Sequence, residues 1–306
     1  MKKIRKAVIP AAGIGSRVLP ATKAQPKEML PIIDKPAMQY LVEELIDSGI
    51  TEILIITGRN KESIENHFDY SYELESILKE QGKTELLNVV EEISKLANIY
   101  YVRQKAPLGL GHAISKAESF VGDEPFVVLL GDDIMYTENM PVTKQLVNKY
   151  YEVGGGNILG IQKVAHDQTS KYGIIDIKEQ IDDRTYLVKE FVEKPSVDEA
   201  PSDYAALGRY VLKPEIFKYL KTIKPGADGE IQLTDAILAM TKNNNPLYAY
   251  DFDALRYDTG DKFGMFKANV EFGLRHPELK DRIREYLKGL VGKLWLMLQI
   301  ILKLKR

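Results

Sequence analysis

Arg17, Lys23 and Lys27 put three cations within eleven residues of one stretch, PAAGIGSRVLPATKAQPKEMLP (10–31). The same stretch carries the small residues Ala11, Ala12, Gly13 and Gly15. Residues without bulk let a flat ligand and a phosphate chain approach the backbone, whose N–H groups donate, while the cations offset phosphate charge. Clustered cations can equally be a solvated surface. The glycines, and a position directly after the apolar run KAVI (6–9), favour phosphate. The loop is neither of the two common phosphate devices. GIGSRV has Val18 where a dinucleotide fingerprint needs its third glycine, and no GxxxxGK[ST] occurs anywhere. Asp132 and Asp133, in LLGDDIM (129–135), follow another apolar run. A carboxylate at the carboxyl end of a strand can hold Mg²⁺ between phosphate oxygens, and it can equally cap a helix or close a turn. The four histidines (His67, His112, His166 and His276) have no metal-binding or catalytic spacing and read as structural.

Elements must bring these residues together. KAVI, EILIIT (52–57), IYYVRQ (99–104) and FVVLLGDD (126–133) read as buried strands, the second with no alternation at all, as expected where both faces are covered. PAMQYLVEELIDSG (36–49) sets Met38, Leu41, Val42, Leu45 and Ile46 on one helical face, with Pro36 at its start and Gly49 at its stop. KESIENHF, YELESILKEQG and GHAISKAESF (111–120) also read as helices. This β-α-β-α-β order predicts an α/β fold with a Rossmann-like, mixed but mainly parallel central sheet flanked by helices. Strands at 157–164, 172–178, 186–194 and 204–212, joined by turns such as IDDRT, predict antiparallel additions, and helices are expected at 231–242 and 261–275. Ligands in such sheets bind where loops leave the carboxyl ends of the strands, which is where the 10–31 loop stands.

Composition bounds the rest. With 306 residues, 44% apolar and 28% charged, the chain is a globular one rather than a disordered one. Its net charge of −2 argues against nucleic acid as a partner, so any anion site must be local. The absence of cysteine rules out thiol catalysis and Cys-ligated zinc, and it fits a cytoplasmic setting. MKKIRKAVIPAAG imitates a secretory leader, but its apolar part is too short, and KAVI is better read as the first strand. A catalytic unit over 1–276 is expected, with a helical tail over 277–306. Eight of the nine residues from Leu294 to Leu302 are apolar. That tail predicts a helix packed on the body or on a second subunit, or one lying on an anionic membrane surface with Trp295 at the interface.

The stretch AAGIGSRVLPATKAQPKEMLPIIDKPAMQY resembles the N-terminal signature of bacterial UTP–glucose-1-phosphate uridylyltransferases, of the sugar-nucleotide pyrophosphorylase superfamily. AAG and PKEMLP favour the UTP branch over relatives that use dTTP. VRQKAPLGLGHAI (102–114), SKYGIID (170–176), FVEKPS (191–196), ALGRYVL (206–212), GEIQLTD (229–235) and RYDTGD (256–261) continue the resemblance in family order. It implies a nucleotide-diphospho-sugar transferase fold and transfer of a uridylyl group from UTP to glucose 1-phosphate. It also implies Mg²⁺ on Asp132 and Asp258, and a homodimer or homotetramer. Arg17 and Lys27 would hold the leaving pyrophosphate and Lys194 the sugar phosphate. Ala11, Ala12, Gly13, Glu28, Gln104 and Gly109 would receive the nucleotide. Uracil presents an N3–H between two carbonyls, which the Gln104 amide and the Gly109 N–H can match. Gly173, Glu193 and Gly208 would line the sugar side. Asp133 stands where relatives often have an apolar residue, and the tail lies beyond the resemblance. Three rival readings stand beside it: a related sugar-1-phosphate nucleotidyltransferase with another base or hexose, a sugar-nucleotide-binding regulator without catalysis, and a dehydrogenase. The retained charged set counts against the regulator, and ITGRN after the second strand, with no acidic residue, against the dehydrogenase.

Overall fold

In the computed structural model, which describes residues 1–226, 229–243 and 245–304, the run KAVI extends into β1 (Lys6–Ala11). The charged loop follows as three short 3₁₀ turns and ends in a small hairpin of β2 (Pro31–Ile32) and β3 (Lys35–Pro36). EILIIT forms β4 (Glu52–Thr57), the next apolar run β5 (Asn98–Arg103), and FVVL β6 (Phe126–Leu129). These strands lie parallel in the order β5-β4-β1-β6. Because side chains alternate along a strand, Ile9, Ile53 and Ile55 point into one core with the helix Ala37–Asp47. Val8, Leu54 and Ile56 point into the other core, with the helix Leu110–Ser115. Two covered faces are why the run at 53–56 shows no polar position.

Beyond β6 the chain makes β7 (Asp133–Tyr136), then β8 (Asn157–Lys163), β9 (Gly173–Gln180), β10 (Thr185–Glu193), β11 (Tyr204–Leu212), β12 (Leu247–Asp251) and β13 (Leu255–Asp258). The nine-stranded sheet runs β5-β4-β1-β6-β11-β8-β12-β10-β9. Only β11 and β10 run against the other strands, so the sheet is mixed and mainly parallel, as the sequence predicts. β7 and β13 pair outside it as an antiparallel ribbon. Helices Lys262–Gly273 and Leu233–Thr241 fall where expected. β12 and the helices Thr84–Ser94 and Val142–Glu152 were not anticipated.

Two boundaries differ from expectation. The helix expected over 111–120 is broken into Leu110–Ser115 and Glu118–Val121. The strand expected over 126–133 stops at Leu129: its partner β11 turns irregular at Gly208, which takes φ 65, and Asp133 starts the ribbon. The tail is helical over Lys280–Leu304. Its start packs against the body through Ile283, whose Cδ1 lies 2.6 Å from where a Cβ on Gly273 would stand. Further along, Tyr286, Leu290, Val291 and Trp295 are exposed, so packing on the body accounts for the beginning of this helix and not for these residues. The side chains at 294 and 296–304 and the whole of residues 305–306, on which the apolar-tail reading rests, lie outside the described residues. Among the described residues no helix is long and apolar enough to cross a membrane.

One buried ion pair ties the core to the ribbon. Arg209 of β11, with no exposed surface, donates to both oxygens of Glu44 on the first long helix, at 2.7–3.2 Å, and to the carbonyl of Asp133 at 2.8 Å. Glu44 also accepts from the Thr143 hydroxyl and N–H. Burial opposes the charged carboxylate, but Arg209 and the Thr143 hydrogen bonds outweigh it and hold Glu44 below its usual range.

Candidate active site

β1, β4 and β5 end level with one another, since Ala11, Thr57 and Arg103 share one register. The loop after β1 and the segment after β5 therefore open on the same edge. Gly15 takes φ 73, a left-handed turn that suits glycine, and its carbonyl accepts from the Thr22 hydroxyl at 2.7 Å, folding the loop back on itself. Between loop and segment lies a cavity of about 410 Å³ bordered by Ala12, Gly13, Lys27, Glu28, Gln104 and Gly109. A second cavity, of about 260 Å³, shares part of its wall and is lined by Arg17, Gly173, Glu193, Lys194, Arg256 and Asp258. Asp132 borders both. Arg17, Lys27, Asp132, Lys194 and Asp258 thus meet at one rim, whereas Lys23 lines neither of these two cavities.

The first cavity is built from opposed charges and backbone. Lys61 donates to Glu28 Oε2 at 2.7 Å, whereas Glu28 Oε1 is buried with no hydrogen-bond partner. Burial raises the Glu28 pKa even with Lys61 and Lys27 beside it. Gly109 adopts φ 95, and a Cβ there would stand 2.8 Å from Glu230 Cβ and from the Ile231 carbonyl. Glycine is needed because the strand-like segment at 231 clasps this loop, Gly111 N–H donating to the Ile231 carbonyl and Ile231 N–H to that of Leu108. Gln104 continues β5, its N–H bonded to the Thr57 carbonyl at 2.8 Å. Its side-chain nitrogen lies 3.1 Å from the Gly109 carbonyl and 2.9 Å from His112 Nδ1.

Around Asp132 the charges are paired. Lys27 donates to its Oδ2 at 2.6 Å and Arg17 at 3.1 Å, while the other Arg17 nitrogen is 3.5 Å from Asp258 Oδ2. Burial works against the charged carboxylate, but Lys27 and then Arg17 prevail and keep the Asp132 pKa low. Burial likewise opposes the charge on Lys27, and Asp132 and Glu28 restore it. The ribbon pairs Asp133 with Asp258, so Asp132, one residue earlier, comes close to Asp258. A Cβ on Gly260 would be 2.5 Å from Asp132 Oδ2, 2.9 Å from Asp258 Oδ1 and nearer still to Arg17 Nη2, so both carboxylates lie beside Gly260 on the Arg17 guanidinium, with Asp258 Oδ1 accepting from the Gly260 N–H at 2.9 Å. Mg²⁺ is commonly held by one or two carboxylates together with substrate phosphates, and this donor pair fits that pattern. Among the described residues no cluster of three or more His, Asp or Glu offers a fuller cage.

In the second cavity Lys194 sits at φ 45, a strained conformation for a non-glycine residue, held by its N–H on the Tyr172 carbonyl at 3.0 Å. Its side chain is largely exposed and lies 3.5 Å from Glu193, whose other oxygen accepts from Thr234 at 2.7 Å. Strain of this kind gathers at functional positions, where the surroundings over-determine it.

Two expected residues take places different from those implied, and packing constrains a third. Ala11 is fully buried in β1 and lines neither of these two cavities, so only its backbone can serve a ligand. Gly208 does not line the second cavity; its φ of 65 and a would-be Cβ clash with Asp133 show that it makes room for that carboxylate. Gly173 does line the cavity, but a side chain there would meet the Phe191 ring at 2.5 Å before any ligand. Two residues were missed. Arg256 donates from Nε to Asp133 at 2.6 Å and from Nη1 to the Tyr172 hydroxyl at 3.1 Å, and faces the second cavity; its place in RYDTGD was the available signal. Asp133 is thus a buried anchor for Arg256, its pKa raised by burial against that guanidinium. His112, read as structural, touches Gln104, and no spacing rule could have paired them.

A family model described as nucleotidyl transferase matches residues 6–273. UTP--glucose-1-phosphate uridylyltransferase YngB of Bacillus subtilis strain 168 is 57% identical over 292 residues, 95% of this chain and 97% of that protein. A UTP--glucose-1-phosphate uridylyltransferase of Staphylococcus haemolyticus is 55% identical over 290 residues, 95% of this chain and 99% of that one. Among solved structures, a UDP-glucose pyrophosphorylase complexed with UDP-glucose superposes with a TM-score of 0.82 at 41% identity, covering 90% of this chain and 100% of that one. A UTP-bound UGPase from Acinetobacter baumannii gives 0.85 at 36% identity, covering 94% and 100%.

Proposed function

The chain belongs to the nucleotidyl transferase family, and on that premise we infer that it is an enzyme making UDP-glucose and pyrophosphate from UTP and glucose 1-phosphate. The observation that carries this reading is the pair of adjoining cavities with Asp132 on their shared wall. One suits a nucleotide, the other a phosphorylated sugar, and their junction suits the phosphates. An oxygen of the sugar phosphate attacks the α-phosphorus of UTP in line, a new P–O bond forms, and the bond to the β-phosphate breaks to release pyrophosphate. The main obstacle is charge: two phosphates a few Å apart repel by several kcal/mol at an effective dielectric of about 20. Arg17 and Lys27 offset the charge of the departing pyrophosphate, and Lys194 that of the incoming phosphate. Catalysis is then positioning and electrostatic stabilisation, with no general base needed for an ester already ionised at neutral pH.

Magnesium on Asp132 and Asp258 would supply neutralisation between the two phosphates. Gly13 and Ala12 leave backbone open to the nucleotide, and Glu28 borders the same cavity. Glu193 accepts from hexose hydroxyls. The resemblance carries the further expectations of a cytoplasmic enzyme and of a homodimer or homotetramer.

Incubating the protein with each nucleoside triphosphate and each hexose 1-phosphate, and following pyrophosphate release, tests the assignment. UTP with glucose 1-phosphate is the expected pair, and release only with another pair would replace it. Excess EDTA is expected to abolish the reaction and added Mg²⁺ to restore it; full turnover in EDTA removes the metal from the scheme. Lys194→Ala should lower kcat by on the order of 10²-fold with an unchanged melting curve. A near-normal rate would remove Lys194 from the site.

A further inference from the structure

The Gln104 amide has one face committed. Its Nε2 is shared between the Gly109 carbonyl at 3.1 Å and His112 Nδ1 at 2.9 Å, which engages both of its hydrogens. A carbonyl can only accept, so turning the amide round would set two oxygens against each other at Gly109. Nδ1 of His112 must therefore present its lone pair, and the single proton of the neutral ring lies on the other nitrogen. No hydrogen bond engages Gln104 Oε1 among the described residues, and Gln104 borders the first cavity. We propose that His112 is a specificity-positioning residue, holding the Gln104 amide so that only its carbonyl oxygen meets the base.

The consequence is a choice between pyrimidines. Uracil has an N3–H that donates to Oε1, whereas cytosine has an N3 lone pair that would face it unpaired. A buried group built to accept a hydrogen bond rejects a ligand that cannot donate one. The surroundings favour this state of the ring. Burial and the nearby Lys116 lower the His112 pKa, which keeps the ring neutral and able to accept, although its backbone hydrogen bond at Ala106 pulls the other way. His112 touches no ligand in this scheme and acts only through Gln104. The proposal deepens the uridylyltransferase reading above and rests on it.

The test compares kcat/KM for UTP, 5-methyl-UTP and CTP, with glucose 1-phosphate as acceptor, in the wild type, His112→Leu and His112→Asn. 5-Methyl-UTP has the same N3 edge as UTP. Leucine keeps bulk without an acceptor, while the Asn Oδ1 stands near the position of the lost ring nitrogen. In His112→Leu the preference for UTP over CTP should fall about tenfold, with the ratio of UTP to 5-methyl-UTP unmoved. In His112→Asn most of the preference should return. His112→Ala takes the place of leucine where leucine fails to fold. An unchanged UTP:CTP ratio in the acceptor-less variant, or an equal loss for all three nucleotides, overturns the proposal alone. A wild type that releases no pyrophosphate from UTP overturns the uridylyltransferase reading and the proposal with it.

Discussion

Asp132→Asn is expected to cut turnover by on the order of 10³-fold while leaving the fold in place. Asp132 borders both cavities, and it accepts from Lys27 at 2.6 Å and Arg17 at 3.1 Å. The amide keeps the shape but not the charge. It cannot compensate a divalent ion, and it turns an N–H₂ toward one of two cations that need an acceptor. Lys27 is itself well buried, with its charge supported first by Asp132 and then by Glu28, so the substitution loosens the lysine expected at the pyrophosphate. The backbone is secured independently, because Thr259 donates to the Asp132 carbonyl from its N–H at 2.8 Å and from its hydroxyl at 3.0 Å. Pyrophosphate release beside a thermal melt separates the two effects. Turnover within tenfold of wild type would remove Asp132 from the centre of the reaction.

The second large effect falls on stability. Glu44→Ala should destabilise the protein by about 3–5 kcal/mol, because it leaves the Arg209 guanidinium charged, fully buried and without its counter-ion. Desolvation, not the lost contact as such, sets that size. A double variant, Glu44→Ala with Arg209→Met, should recover much of the loss, since a buried ion pair is often no more stable than an apolar pair of similar volume. Denaturant midpoints of the three proteins test this. A single variant as stable as wild type would mean that water reaches Arg209 or that the site rearranges. Activity is expected to suffer as well, because Arg209 also bonds the Asp133 carbonyl next to Asp132.

The fold was legible wherever one strong pattern governed a segment. EILIIT could only be a strand covered on two faces, and the residues of 36–49 could only make a one-sided helix. Segments governed by their partners were not legible. LYAYD at 247–251 becomes a strand because it is received between β8 and β10, and the run into Asp133 ends at Leu129 because β11 turns irregular at Gly208 and Asp133 leaves to pair with Asp258.

For the site, the sequence by itself determined the chemistry: a small-residue loop with cations at 17, 23 and 27, carboxylates at 132 and 258, an amide at 104 and a lysine at 194. Side-chain type decides what a group can donate, accept or neutralise, and that is written in the residue. Only the tertiary structure decided which groups are free to act. It paired Asp133 with Arg256 and assigned Gly208 to making room for it. It also set the Gln104 side-chain nitrogen between the Gly109 carbonyl and His112 Nδ1. Those outcomes depend on distances between residues far apart in the chain, which the order of residues alone does not express.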